Sequence, residues 1–285
     1  MDSAEKIGLS LGIPSFIIGV TIVAFGTSLP ELATSIASVF SGTSEIVIGN
    51  AVGSNITNIL LVIGATAVVG AGIKLDYDVM KADVPMLFGS AFLLYFALYD
   101  RKLSTIECVL FLAALSAFLA HSFSGTGEKD EDLPKSSIID WCILIVGAAM
   151  VYFSAKYTIV ALEDIATDMG IPPHIIAITV VALGTSLPEV VVSINAARKG
   201  NTGMAIGNVL GSNIFNTYAV MAIPGLIGEL KIPEQTFTES VPLMIAVTIL
   251  FGVTCISKSI PRYVGWTFLV FYVLFLSISI NGIPA

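Results

Sequence analysis

Nine apolar segments follow one another along the chain, each close to the ~20 residues that a helix needs to cross the hydrocarbon layer of a bilayer. They cover approximately residues 14–40, 45–71, 84–99, 103–121, 138–161, 172–197, 203–227, 239–257 and 263–281. The second and seventh are weakly hydrophobic because both carry amides and hydroxyls, namely Asn50, Ser54, Asn55 and Asn58, and Asn208, Ser212, Asn213 and Asn216. Such side chains are costly in lipid, so we expect these two helices to line an interior site.

Composition supports a membrane protein. The chain has 285 residues, of which 55% are hydrophobic and only 12% charged, and its mean hydropathy is +0.92. These values exclude an ordinary soluble domain. We predict no nucleic-acid partner; the net charge of -8 would argue against one in a soluble protein, but in a membrane protein the placement of the basic residues says more. Three cysteines lie in apolar runs, where we expect small core residues and not disulfides or metal ligands.

One polar hexapeptide, GTSLPE, occurs inside apolar runs at residues 26–31 and again at 184–189. Pro30 and Pro188 have no N–H for the carbonyl four residues earlier, so we expect each helix to open beside its own glutamate. The two hydroxyls, three and four residues before that glutamate, share its helical face. Carboxylate, hydroxyl and carbonyl oxygens are the ligands of hard cations. The hexapeptides therefore predict a buried cation site.

The hexapeptides belong to an internal duplication with a shift of 158 residues. About half of the positions between 12 and 58 are identical to their counterparts, including the motif GNxxGSNIxN at 49–58 and 207–216. Five apolar spans separate equivalent points, an odd number, so the copies cross the membrane in opposite directions. Inverted repeats of this kind are typical of secondary transporters with a site at mid-membrane. The motif glycines are expected to be close packing contacts, at Gly49, Gly53, Gly207 and Gly211.

The duplication divides the chain into a first repeat (1–121), a polar linker (122–137) and a second repeat (138–285). The helix predicted at 138–161 has no counterpart before the first repeat. We therefore expect nine helices of a ten-helix protein, with the first helix absent. Either the chain lost that helix, or the sequence begins at an internal methionine of a longer protein.

Basic residues predict the orientation. When successive loops are placed on alternate sides, one side receives Lys6, Lys74, Lys81, Lys129, Lys135, Arg198, Lys199, Lys258 and Arg262, and the other Arg101, Lys102 and Lys231. Lys156 falls within a span and is set aside. The first side is expected to be cytoplasmic. The linker would then lie in the cytoplasm and the carboxyl terminus outside, in what we expect to be the cell membrane.

With these motifs in place, the chain resembles the calcium/cation antiporter superfamily, most closely its microbial sodium/calcium exchanger branch. Its two alpha-repeats match residues 26–31 with 49–58 and 184–189 with 207–216, and the resemblance covers nearly the whole chain. It implies an all-α polytopic membrane protein with the inverted-repeat sodium/calcium exchanger fold. It also implies antiport of calcium and sodium ions across the lipid bilayer by alternating access, with no enzymatic activity and no cofactor.

The resemblance also assigns candidate ligands. Glu31 and Glu189 match the main calcium ligands, and Asn58 and Asn216 match their partners. Positions that bind sodium in the family are matched by Thr27, Ser28, Ser54, Thr185, Ser186 and Ser212, together with the carbonyls of Ala24 and Ala182. The family pattern has an aspartate at the position of Asn216, so this site carries two acids where that pattern has three.

Alternatives remain open at the level of the sequence. Two carboxylates can balance one calcium ion, two sodium ions or two protons, so a calcium/proton antiporter is the second reading. Sodium is preferred because every hydroxyl position is present. A cation channel could use the same acids, and an inactive partner subunit is a further possibility. An intramembrane hydrolase is disfavoured because no histidine is near either hexapeptide in the sequence. The sequence leaves protein partners open.

Overall fold

The structure is a computed structural model and describes residues 2–75, 77–124, 136–168, 170 and 176–281. Most of these residues are helical. The helices are α1 (Asp2–Ser10), α2 (Ser15–Phe40), α3 (Glu45–Val69), α4 (Asp83–Ala97), α5 (Thr105–Ser124), α6 (Ile138–Asp168), α7 (176–198), α8 (202–227), α9 (Thr236–Cys255) and α10 (Arg262–Asn281). Two short strands, β1 (Ile73–Lys74) and β2 (Ser259–Ile260), pair antiparallel.

Each predicted apolar segment coincides with one of the helices α2 to α10. Five helices are long and apolar enough to cross a membrane alone, and a sixth qualifies if the two parts of α7, bent by 44°, form one span. The boundaries differ most at α6, which was predicted to end at residue 161 and continues to Asp168. The chain is an integral membrane protein with an all-α fold.

Two regions differ from the prediction or lie outside the described residues. The linker was predicted to begin at residue 122, whereas α5 continues through Ser124. Residues 125–135, the rest of the predicted linker apart from Ser136 and Ser137, lie outside the described residues. The short helix α1 was not predicted. A shift of 158 residues places its last residue, Ser10, on Asp168, so α1 is equivalent to the final turns of α6.

Helices α3 and α8 form the centre of the fold. In the most apolar 18-residue stretch of α3, 89% of the residues are buried inside the protein. The corresponding share is 22% in α5 and in α10, which lie on the outside of the fold. Every residue of α8 from Met204 to Ala222 is buried. The two helices richest in amides and hydroxyls are therefore enclosed by the others, which satisfies the requirement that intramembrane polar groups face protein.

The repeats are inverted in space. Phe16 at the start of α2 lies beside Gly203 at the start of α8, and Ile46 at the start of α3 packs against the cluster of Ile176 and Val181 in the first turns of α7. Because α3 begins on the side where α2 ends, α2 and α7 start on opposite faces. The predicted inversion is confirmed by this packing.

Contacts between loops sort the basic residues onto the two faces. One face carries three ion pairs: Lys199 with Asp2, Lys6 with Asp140 (2.9 Å) and Lys258 with Asp78 (3.5 Å). The face at the other end carries the pair Arg101–Glu234, at 2.9 Å. There the hydrogen bond from the Arg101 guanidinium holds the pKa of Glu234 below its usual value. The grouping agrees with the predicted alternation of loops.

Four π-helical turns repeat with the internal symmetry. Two precede the hexapeptides, at Gly19–Val23 and Ile176–Val181, and two begin at the predicted amide ligands, at Asn58–Ile63 and Asn216–Val220. A π turn contains one extra residue and leaves part of the backbone ladder loosened, and such turns are frequent at functional sites. Apolar periodicity did not predict them.

Glycine allows α2 and α8 to approach closely. A Cβ on Gly207 would collide with the carbonyl oxygen of Phe16, and one on Gly211 with that of Val20; on the facing helix, a Cβ on Gly19 would lie 2.5 Å from the Met204 oxygen. The expectation that Gly207 and Gly211 are packing contacts is confirmed. Backbone contact of this kind is how small residues hold membrane helices together.

Gly211→Ala is expected to destabilise the protein by about 1–3 kcal/mol, because the added methyl group overpacks the α2–α8 contact. The measurement is the thermal unfolding temperature of the purified protein in detergent. Gly147→Ala is the matched control, because no heavy atom beyond the local backbone lies within 4 Å of the Cβ position there. Equal unfolding temperatures for the two variants would contradict the close approach.

Candidate ion-binding site

Both hexapeptides interrupt their helices. The breaks fall at Ser28 (φ −87°, ψ 5°) and Ser186 (φ −80°, ψ 0°). Pro30 and Pro188 therefore lie in the first turn of the following segment, where the missing N–H costs nothing. The predicted opening beside each glutamate is confirmed, with the break two residues before the proline.

All twelve candidate residues are buried. Glu31, Glu189, Asn58 and Asn216 are 0% exposed, and the others, at most 4% exposed, are Thr27, Ser28, Ser54, Thr185, Ser186, Ser212, Ala24 and Ala182. Hydrogen bonds join the two repeats directly. Ser28 Oγ donates to Glu189 Oε1 (3.2 Å), and the hydroxyls of Ser54 and Thr185 lie 3.2 Å apart. Residues that are far apart in the chain therefore form one polar centre.

Several oxygens of this centre have no hydrogen-bond partner among the described residues. They are both carboxylate oxygens of Glu31, Oε2 of Glu189, the side-chain carbonyl oxygens of Asn58 and Asn216, and Oγ of Ser186. The two carboxyl groups also interact electrostatically. A buried carboxylate without partners is strongly destabilising, so this set of oxygens fits a cation that would be bound between the repeats.

The chemistry of the centre favours a hard cation. Among the described residues, no group of three or more histidine, cysteine, aspartate or glutamate side chains is close enough to hold a metal ion. The candidate ligands of this centre are two carboxylates, together with amide and hydroxyl oxygens. Calcium and sodium accept such all-oxygen surroundings, whereas zinc and copper prefer nitrogen and sulfur.

The hydroxyls are arranged asymmetrically around the two acids. Glu189 Oε1 accepts hydrogen bonds from Ser28 and from Ser212, both at 3.2 Å. The equivalent donors to Glu31 would be Ser186 and Ser54. Ser186 Oγ is unpaired within the described part of the chain, and Ser54 instead contacts Thr185 and Asn50. Two serine hydroxyls therefore hold Glu189, whereas no described serine hydroxyl donates to Glu31, whose carboxyl group interacts with the hydroxyl of Thr185 instead.

Asn50 and Asn208 were predicted to line the interior but were not included among the candidate ligands. Asn50 accepts a hydrogen bond from Thr185 Oγ1 (3.1 Å), and Asn208 accepts one from Thr27 Oγ1 (3.1 Å). The amide nitrogen of Asn50 also donates to the carbonyl oxygen of Glu31 (3.1 Å). Each asparagine thus fixes the threonine of the opposite hexapeptide. Their spacing of four residues from Ser54 and Ser212 is the sequence signal that could have identified them.

The carbonyls of Ala24 and Ala182 are engaged in this state. Each accepts the backbone N–H of the serine four residues later (3.0 and 3.1 Å). The hydroxyl of the threonine three residues later also lies within hydrogen-bond distance (3.3 and 3.2 Å), and it shares its single proton between this carbonyl and the facing asparagine. A carbonyl oxygen has two lone pairs. Sodium binding at these oxygens stays a prediction.

Two grooves lie between α6 and the middle of α2. One, of about 220 Å³, lies between Pro30 and Thr34 on α2 and Tyr152 and Lys156 on α6. The other, of about 140 Å³, lies between Thr27 on α2 and the segment around Gly147 on α6. Helix α6 therefore lines one groove on each side of the α2 break.

The fold is that of an integral membrane protein made of two inverted repeats, with a polar centre enclosed between broken helices. The sequence model of the family described as "Sodium/calcium exchanger protein" matches residues 1–124 and 139–281. The chain is 33% identical to the sodium/calcium exchanger MaX1 of Methanosarcina acetivorans, over 97% of this chain and 92% of that protein. It is also 33% identical to the uncharacterized membrane protein MJ0091 of Methanocaldococcus jannaschii, over 95% and 89%.

Solved structures agree with this relationship. A structure of the sodium-calcium exchanger NCX_Mj matches with a TM-score of 0.84 and 29% identity, over 99% of this chain and 92% of that one. The chain belongs to the sodium/calcium exchanger protein family.

In buffer free of calcium and sodium, Ser28→Ala is expected to lower the free energy of unfolding by about 1 kcal/mol, because it removes a hydrogen bond to the buried Glu189 carboxylate. The symmetry-related change Ser186→Ala removes no such bond and is expected to have little effect. Chemical or thermal unfolding of both variants measures the difference. Equal destabilisation by the two substitutions would contradict the asymmetry of the site.

Proposed function

We propose that the protein is a secondary active antiporter that exchanges calcium for sodium across the membrane. One observation carries the proposal: two glutamates from inverted repeats are fully buried in one centre, and three of their four carboxylate oxygens lack partners among the described residues. The names of the relatives, MaX1 and NCX_Mj, support the same exchange.

The charge of the centre fits this exchange. Two carboxylates balance one calcium ion, or two sodium ions, so the site is close to neutral with either load and strongly unfavourable when empty. Glu31, Glu189, Asn58 and Asn216 are the proposed calcium ligands. The proposed sodium ligands are Thr27, Ser28, Ser54, Thr185, Ser186 and Ser212 with the Ala24 and Ala182 carbonyls. An aspartate at position 216 would add a third negative charge, which this chain does not require for one calcium ion.

Alternating access is the proposed mechanism. Because α6 borders one groove on each side of the α2 break, movement of this helix along the core could open either groove while it closes the other. The gradient of the driving ion supplies the energy, with no nucleotide or cofactor. We propose the cell membrane as the location, with the face that carries Lys6, Lys199 and Lys258 in the cytoplasm.

Purified protein in lipid vesicles is expected to accumulate calcium when sodium is loaded inside and diluted outside, because sodium leaving the vesicle drives calcium entry. The measurement is radioactive calcium uptake, with vesicles of equal sodium on both sides as the baseline. Uptake driven only by a proton gradient would mean that protons, and not sodium ions, are the counter-ion. Calcium flux that needs no opposing ion would indicate a channel and contradict the proposal.

The glutamates provide the matched controls for the same assay. Glu31→Gln and Glu189→Gln each remove one of the two charges of the centre and are expected to abolish uptake. Glu229→Gln makes the same chemical change at an exposed loop position and should transport normally. Size-exclusion profiles confirm that each variant is folded. Near-normal uptake by either buried-site variant would overturn the assignment.

A further inference from the structure

Helices α3 and α8 cross at a second polar contact beside the ion-binding centre. Asn213 and Asn55, which are equivalent in the two repeats, meet there with Thr217, and all three are at most 3% exposed. Asn213 Nδ2 donates to the Asn55 carbonyl oxygen (3.2 Å), Asn55 Nδ2 donates to Thr217 Oγ1 (3.1 Å), and Thr217 Oγ1 donates to the Asn213 carbonyl (3.0 Å). None of these side chains is a candidate ligand.

The contact fixes the orientation of one amide. A backbone carbonyl can only accept a hydrogen bond, so the group of Asn213 that faces the Asn55 carbonyl must be its NH2 group. The Oδ1 atom of Asn213 then points the other way, where it accepts a hydrogen bond from Asn58 Nδ2 (3.0 Å). Asn58 must therefore direct its own oxygen away from Asn213. That oxygen is buried and has no partner in the described part of the chain.

The equivalent bond in the other repeat is not formed. It would join Asn216 Nδ2 to Asn55 Oδ1, and both of these buried atoms lack partners among the described residues. Asn55 uses its amide nitrogen for Thr217 and for the Met244 sulfur instead. The amide of Asn58 is thus held in one orientation, whereas none of the described residues holds either end of the Asn216 amide.

We propose that Asn213 is a positioning residue: it holds the Asn58 amide so that the carbonyl oxygen of Asn58 faces the cation between Glu31 and Glu189. The inference rests on the proposed function, because it assumes that Asn58 binds calcium. Asn213 does not contact the ion. It removes the alternative orientation in which the NH2 group of Asn58 would face, and repel, a cation.

The test is a double-mutant cycle with calcium affinity as the readout. The apparent dissociation constant is obtained from the rise in unfolding temperature with calcium concentration, which also checks that each variant folds. Asn213→Ala is expected to weaken calcium binding about tenfold, the lower end of the effect of losing a residue that orients a ligand. In an Asn58→Ala background the same substitution should have no further effect, because the amide that it positions is already absent.

Thr217→Val is the matched control. It removes a buried hydroxyl from the same crossing without touching Asn58, so its calcium affinity should equal that of the unmodified protein. Similar weakening of calcium binding by Thr217→Val and Asn213→Ala would mean that the crossing has only a structural role, which would overturn the inference. The inference would also be overturned if Asn213→Ala weakened calcium binding by the same factor with and without Asn58→Ala. If Asn213→Ala does not fold, Asn213→Ser replaces it, since serine is too short to reach Asn58.

The two proposals fail in different ways. If the unmodified protein is not stabilised by calcium at any concentration, the proposed function is wrong and the inference falls with it. If the unmodified protein binds calcium and Asn213→Ala binds it equally well, the inference alone is wrong.

Discussion

The structure depends on the burial of two carboxylates in the interior of a membrane protein. Neither Glu31 nor Glu189 has measurable exposure, and only one of their four oxygens is satisfied by described protein groups. The cost of such burial is several kcal/mol for each charge unless a counter-charge is present. Broken helices, enclosed amide-rich helices and close glycine packing all place oxygen atoms around this pair. The same instability makes the centre selective, because it is relieved only by a bound cation or by protons.

The duplication explains why the centre can serve both sides of the membrane. Equivalent elements of the two repeats run in opposite directions, so each face of the protein has one broken helix leading to the middle. The symmetry is nevertheless incomplete in its hydrogen bonds. Glu189 accepts two serine hydroxyls where no serine in the described part of the chain donates to Glu31, and Asn58 is held by Asn213 where Asn216 is not held by Asn55. The two halves of the site therefore differ in how firmly their ligands are fixed.

Sequence reasoning could predict what depends on composition and repetition. The apolar segments, the shift of 158 residues and the prolines of the hexapeptides were sufficient for the helices, the inversion and the position of the two glutamates. Features that depend on the partner helix were not predictable in this way. The π turn at Asn58 leaves no trace in apolar periodicity, and the link from Asn213 to Asn58 requires knowledge of which helices cross. The asymmetry between Ser28 and Ser186 is likewise invisible in two identical hexapeptides.

A crystal structure of the protein with calcium tests the central claim most directly. The account predicts a single calcium ion whose ligands include a carboxylate oxygen of Glu31 and one of Glu189, each at about 2.3–2.6 Å. A calcium ion bound by only one of these residues, or bound outside the space between the two broken helices, would contradict it.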